Sequence, residues 1–446
     1  MIVASVVHAA VLVVVAWWIA ARLGGRISTS LLLFGAMWLI HGLPLQVYLH
    51  RTGPDTLIFE EAIGGLPRDE LRSLILYAVA AALTLMMAGS EVARLALSKM
   101  AVRGKRALLR QGSDIVAHRV RLGVGARAIL WMLAAGMLVV SLAEGQLGKV
   151  VEYFAFSESE LARILLRTEG GGTPYYAYNL ILYSVAPYLV MLAWCADHDR
   201  QRLPVLAGAL FVAVMLGKFG TLSKAPPVIF LLQLVLLRVM LRRTPLQLRS
   251  AMLLLIASTG LFAVIVSLTI PDLDLRGLAA FLYYRVFDIP NESLLEYFAA
   301  IPASIPHGGG AGIFSFLRPD GEFLPMYSRV AELHRGSLAS TSNAVFIADA
   351  WAEFGWLGLL SFAFVAGATV RAIDVLAFRD GDTDASACLI AGCSFGVFTA
   401  LSTALPTAFL TGGLAILPLL MMATTRRPRI SARTSLDAPS ALVPGR

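Results

Sequence analysis

The chain has 446 residues, of which 58% are hydrophobic and 15% charged, with a formal net charge of +8. A soluble domain carries roughly 25% charged residues, so this composition excludes a water-soluble globular protein. The apolar residues come in blocks long enough to span a hydrocarbon core of about 30 Å. In lipid every backbone polar group must be satisfied within the chain, so each block is predicted to be a helix, and the short alternating segments of a β-barrel are not seen.

In chain order the predicted spans are 2–21, 29–49, 71–93, 128–148, 178–196, 203–219, 225–241, 250–270, 345–374, 386–403 and 408–424. The first has no basic flank and no small-residue cleavage site, so it is read as a span and not as a secretory leader. The stretch from Arg94 to Arg127 adds Lys99, Arg103, Lys105, Arg106, Arg110, Arg119 and Arg121, which places it in the cytoplasm. Alternation then puts the N-terminus outside and the C-terminus inside. The loops near Arg22, Arg200, Arg242 and Arg379, and the Ser/Pro/Arg tail 426–446, fall on the cytoplasmic side with the larger share of the 37 basic residues. The expected fold is therefore an all-α polytopic membrane protein of about eleven transmembrane helices. Residues 1–425 form a single transmembrane domain and the tail is disordered. The basic segment is read as a topology determinant beside anionic headgroups, and no nucleic-acid partner is expected. Cys195, Cys388 and Cys393 all fall inside predicted spans, which implies neither a loop disulfide nor a metal site.

Outside the membrane this topology leaves 50–72, 149–177, a tight turn at Lys218–Lys224, and the long loop 271–344 before the ninth span. Unstructured loops of that length are uncommon unless functional, so chemistry or recognition is expected there. Phosphate-loop, nucleotide-binding, HExxH and GxSxG motifs are missing, and Gly170–Gly172 and Gly308–Gly310 read as loop glycines. No internal or inverted repeat stands out.

The ionisable residues of the outer segments carry the chemistry. Arg285 lies in an apolar, aromatic run with Tyr283, Tyr284 and Phe287. Anion binding and a structural salt bridge to Asp288 or Glu292 are both open to it. Asp288 is placed to cap a helix with Pro290 in its first turn, and Glu292 and Glu296 share a face of that helix. Asp349 and Glu353 are four apart at the start of the ninth span, open either to facing a cavity, where one could serve as general base, or to lying in the interfacial layer paired with loop arginines. His307 and His334 are the long loop's histidines, open to a proton-shuttle role or none, and Arg318, Arg329 and Arg335 add positive charge beside them. Arg163 and Arg167 lie on an amphipathic stretch opened by a Ser157/Glu160 capping box and predicted to rest on the membrane surface. Lys218 and Lys224 are expected to snorkel to headgroups. Cations beside half-buried carboxylates suit a lipid-linked anionic substrate, whose pyrophosphate leaving group needs stabilising and whose attacking hydroxyl needs a base.

Three stretches then carry a resemblance: Gly217–Leu232 (GKFGTLSKAPPVIFLL), Tyr284–Phe298 (YRVFDIPNESLLEYF) and Ser342–Leu359 (SNAVFIADAWAEFGWLGL). The chain resembles the Wzy-type oligosaccharide repeat-unit polymerases and, more distantly, the O-antigen ligases. The resemblance implies a glycosyltransferase of the cell inner membrane that joins polyprenyl-pyrophosphate-linked repeat units on the outer face. It needs no nucleotide sugar or other cofactor, and works beside membrane lipids and chain-length-regulating or export proteins. It places Asp349 and Glu353 at the late-span mouth, and with His334 they are the catalytic candidates. By the resemblance Arg285 would hold pyrophosphate and Asn343 stands at the late-span mouth, and Arg329, Arg335, Lys224, Asn343 and Glu292 join Arg285 as candidates for binding substrate or pyrophosphate. Ser342–Asn343 stands where the ligases have a His-Asn pair, which favours polymerase over ligase and leaves the base unassigned. A flippase for lipid-linked sugars and a membrane acyltransferase or scaffold are the competing expectations.

Overall fold

The computed structural model describes residues 1–23, 26–51, 67–109, 122–145, 173–198, 204–220, 225–242, 274–312, 325–336, 342–379 and 383–424, with a few isolated positions besides. Every regular element among them is helical. Six helices are long and apolar enough to cross a membrane: Ile2–Arg22, Thr29–Arg51, Arg68–Leu97, Val124–Ala143, Ala177–Ala196 and Phe346–Ala377. Val205–Gly220, Ala225–Leu241 and Asp384–Ala400 are apolar but shorter. The predicted span 250–270 apart from isolated helical positions, the surface stretch with Arg163 and Arg167, Arg318, Lys224 and the tail lie outside the described residues.

Helices α1 (Ile2–Arg22) and α2 (Thr29–His41) pair through Trp18 against Phe34, with ring centroids 4.7 Å apart. Past a break at Gly42 the chain continues as α3 (Leu43–Arg51). Helix α4 (Arg68–Leu109) runs well beyond the predicted span 71–93. Hydropathy marks only the part of a helix that suits lipid, and backbone hydrogen bonding carries the same helix on into the basic segment. After α5 (Val124–Ala143) come α6 (Thr173–Leu180), a π turn at Ile181–Val185, and α7 (Ala186–His198). Helices α8 (Val205–Gly220) and α9 (Ala225–Leu241) follow.

The long loop contributes α10 (Leu275–Tyr283), a π turn at Tyr284–Asp288, α11 (Ile289–Ala300) and α12 (Met326–Arg335). The late helices are α13 (Phe346–Ala377), α14 (Asp384–Ala400), α15 (Leu405–Phe409) and α16 (Ile416–Thr424). The predicted span 408–424 is thus no continuous helix: a turn at Gly412 and Gly413 (φ 82°) divides it. Its apolar composition does not register that break.

Helices α4 and α13 form the central pair. A Cβ on Gly89 would run into the Phe364 carbonyl, and one on Gly367 into the Met86 carbonyl. These reciprocal glycines bring the two backbones into contact. Between helices in lipid, close packing of small residues takes over the role that water exclusion plays in soluble proteins. A second apolar cluster joins α5, α7 and α8 through Leu130, Met137, Val190, Leu210 and Val214. The outer surface is apolar too, with Val13, Trp17, Ile129, Met132 and Leu357 exposed, as lipid-facing positions require.

The bundle has two different ends. At one, Glu91 accepts from Trp18 Nε1 (3.1 Å) and Arg94 Nε (2.6 Å), and Asp374 accepts from the backbone N–H of Thr29 (2.7 Å) and Ser30 (3.1 Å) at the start of α2. At the other, α11 lies across the end of α2 and the start of α13. There Asn291 Nδ2 donates to the Ile40 carbonyl (3.0 Å), and Trp351 Nε1 donates to the Ile301 carbonyl (3.0 Å).

Candidate functional site

From Leu275 to Ala300 the chain is one unbroken helix with a π turn inside it. Asp274 caps its start by accepting from Gly277 N–H at 2.6 Å. Pro290 has no N–H to give to the preceding turn, and a local π turn is a way to absorb that loss. Asn291 Nδ2 meets the Phe287 carbonyl at 2.7 Å in the same turn. Asp288 therefore does not cap a new helix, contrary to expectation: its backbone is helical (φ −76°, ψ −50°) and its side chain makes no capping bond.

Glu296 is the most heavily bonded carboxylate here. It is buried, and Arg335 clamps it through Nε (3.2 Å) and Nη2 (3.1 and 3.2 Å). Ser342 Oγ also donates to its Oε2. His334 Nε2 lies 3.1 Å from the Glu296 carbonyl, so that nitrogen must carry the proton. Its Nδ1 is buried with no hydrogen-bond partner among the described residues, and burial holds the imidazole below its usual titration range. Gly336, left-handed at φ 64°, ends α12 just past Arg335 by returning its N–H to the Glu332 carbonyl at 2.9 Å. One carboxylate thus ties α11, α12 and the approach to α13 together.

Glu292, one turn earlier, is half-buried and among the described residues accepts only from Tyr284 OH, at 3.3 Å. Burial first, then the charge of Glu296, raises its carboxyl above the ordinary range, with Arg335 opposing. Burial likewise raises Asp288, against the pull of Arg51. Arg285 is exposed, its guanidinium 5.2 Å from the centre of the Phe281 ring. It forms no ion pair with Asp288, Glu292 or any other described residue, so the structural salt bridge open to it from sequence is not made. Arg329 forms none among the described residues either.

The first turns of α13 carry the deeper pair. Asp349 accepts from Tyr297 OH at 3.2 Å, and Tyr297 is fully buried. Glu353 does not face an open cavity, one of the placements open to it from sequence. Its two oxygens take the backbone N–H of Gly310 (2.8 Å) and Gly312 (3.0 Å). The Gly308 and Gly309 N–H groups cap the Ala352 and Glu353 carbonyls at 3.0 and 2.9 Å, and α13 kinks at Gly355 (φ 60°, ψ −141°). A Cβ on Gly308 or Gly312 would collide with the Glu353 carboxylate. These loop glycines are required by the close approach. His307 packs edge-on to Trp351, with centroids 5.7 Å apart, and its Nδ1 lies 3.3 Å from the Ala352 carbonyl.

The structure therefore brings together Glu292, Glu296, Arg335, His334, Ser342, Tyr297 and Asp349. It leaves Arg285 on the accessible edge, exposes Asn343 beside Ser342, and sets Glu353 apart as a loop anchor. Glu296 was legible only as the second member of a helix-face pair, because its partners lie 39 and 46 residues away. Lys218 is also placed differently from expectation. It is fully buried, its Nζ 4.7 Å from the Tyr183 ring centre and 5.2 Å from that of Phe395, and it does not snorkel. Among the described residues no group of three or more His, Cys, Asp or Glu is placed to hold a metal ion. No family model matches the chain, and no curated protein or solved structure is significantly similar to it.

Proposed function

We propose that the protein is a multi-pass glycosyltransferase of the cell inner membrane, with about eleven spans, that polymerises polyprenyl-pyrophosphate-linked oligosaccharide repeat units at the outer face. The observation that carries this reading is the division of labour along one helix. Glu296 is committed to Arg335 and Ser342, while Glu292 and Arg285 on the accessible side are not so committed. Glu292 then serves as the base that takes the proton of the acceptor sugar hydroxyl. As the hydroxyl oxygen bonds to the donor's anomeric carbon, the bond from that carbon to the pyrophosphate oxygen breaks. The electron pair leaves with the polyprenyl pyrophosphate, which Arg285 stabilises, with Arg329, Lys224 and the partly exposed Arg335 adding positive charge. Asp349, bonded to Tyr297, orients the floor of the site, and Asn343 stands at its mouth. His334, its Nε2–H already donating a hydrogen bond to the Glu296 carbonyl, acts as a positioning residue.

Deletion of the gene in its host, followed by complementation, tests the reading. Wild-type protein is expected to restore long surface or exopolysaccharide chains. Arg285→Ala and Glu292→Gln, at unchanged protein level, are expected to leave lipid-linked single repeat units. Long polymer from either variant would remove that residue from the mechanism. A flippase for lipid-linked oligosaccharides is the second reading. It draws on the buried Lys218 beside the π turn at Ile181–Val185 and on the divided segment 405–424, since cation-lined breaks in helices also build transport sites.

A further inference from the structure

His41 and Asn291 are both fully buried, although they lie 250 residues apart in the chain. His41 is the last residue of α2, and Asn291 lies in the first turn of α11. Their side chains meet, with His41 Nδ1 2.9 Å from Asn291 Oδ1. The amide nitrogen of Asn291 gives both its hydrogens to carbonyls, Ile40 at 3.0 Å and Phe287 at 2.7 Å. An amide oxygen only accepts, so His41 Nδ1 carries the proton and donates to it. Both carbonyls lie where regular helical bonding is broken. Ile40 is in the last turn of α2, whose carbonyls have no donor from their own helix. Phe287 is in the π turn, where Pro290 has no N–H to offer.

The residues beside this junction are the ones the transfer reaction needs. Glu292 follows Asn291 directly, and Arg285 lies in the same π turn as Phe287. The printed contacts of both stay within their own continuous helix: Tyr284 for Glu292, and the Phe281 ring for Arg285. Their placement over the bundle is therefore set by that helix's backbone, and Asn291 is the neighbouring side chain that ties this backbone to α2. Loss of either partner leaves a buried polar group without its bond, a cost the turn can relieve by shifting. We propose that His41 and Asn291 are positioning residues: they clamp the turn that carries Arg285 and Glu292, and so set the base against the cation that meets the leaving pyrophosphate. For its reaction this inference rests on the glycosyl-transfer reading. A misplacement of about 1 Å, arising away from the reacting atoms, can cost roughly a hundredfold in rate.

The test measures kcat and KM for polyprenyl-pyrophosphate-linked repeat units with the purified full-length protein in liposomes, per folded molecule. His41→Leu removes the donor to Asn291 and is expected to lower kcat about a hundredfold while KM changes by less than about threefold. His41→Asn sets an amide N–H where Nδ1 stood. It gives up only the Nε2 edge, which has no hydrogen-bond partner among the described residues, and is expected to recover most of the lost rate. Asn291→Ala, which removes all three bonds, is expected to lose at least as much as His41→Leu. The two histidine variants keep the inference testable should Asn291→Ala fail to fold. A purely structural role would lower the yield of folded protein and leave kcat per folded molecule unchanged. That result, or equal losses in His41→Leu and His41→Asn, would overturn the inference while wild-type polymerisation stands. Wild-type protein that forms no polymer would instead overturn the glycosyl-transfer reading, and this inference with it.

Discussion

Glu296 accepts from Arg335 and Ser342, whereas Glu292, four residues before it, accepts from a single tyrosine hydroxyl among the described residues. The proposed chemistry needs a carboxylate that can change its proton, and of these two Glu292 is the less committed among the described residues. Its carboxyl is raised by burial and by the charge of Glu296. A base acts in its ionised form, so polymer formation is expected to fall as pH drops through this raised value, above where an ordinary carboxylate would lose its charge. Glu296→Gln removes the like charge and frees Arg335, and both changes lower the carboxyl of Glu292. The acid limb of the pH–rate profile, measured on isolated membranes, is then expected to move to lower pH. A limb that stays in place would remove Glu292 as the titrating group. Arg335→Ala leaves the nearly buried Glu296 (2% exposed) without its counter-charge. Since Arg335 itself is a third exposed, a loss of about 2 kcal/mol is expected by thermal unfolding in detergent. The residue types at this site were legible from the chain alone. The assignment of which carboxylate is held and which is free was not, since it depends on partners brought in from α12 and the loop after it.

Hydropathy locates elements well where lipid is the deciding solvent and poorly where it is not. The span 225–241 has the same bounds in sequence and structure, because Pro226 and Pro227 favour a helix start and the apolar run ends at the basic residues that follow. The predicted 71–93 falls short of α4, since a helix need not stop at the lipid boundary. Within α13 the deciding feature is Gly355, whose backbone (φ 60°, ψ −141°) is essentially closed to residues with a side chain. Gly355→Ala is expected to cost about 1–3 kcal/mol and to shift the first arm of α13, which carries Asp349 and Glu353. Gly312→Ala drives a methyl group into the Glu353 carboxylate and is expected to loosen the 306–312 loop without touching α4. Limited proteolysis that cuts this loop faster in Gly312→Ala than in the wild type would bear this out, and unchanged cutting would contradict it.

At the scale of the whole molecule, α4 and α13 are a rigid axis with unlike ends. One end gathers arginines around Glu91 and Asp374. The other carries α10–α12, folded over the start of α13. The most direct measurement is reconstitution of the purified full-length protein in liposomes supplied with polyprenyl-pyrophosphate-linked repeat units, with products resolved by gel. Chains longer than one repeat unit, formed without nucleotide sugar and lost in Glu292→Gln, are the expected result. Repeat units that cross the bilayer but stay single would contradict polymerisation and establish transport instead.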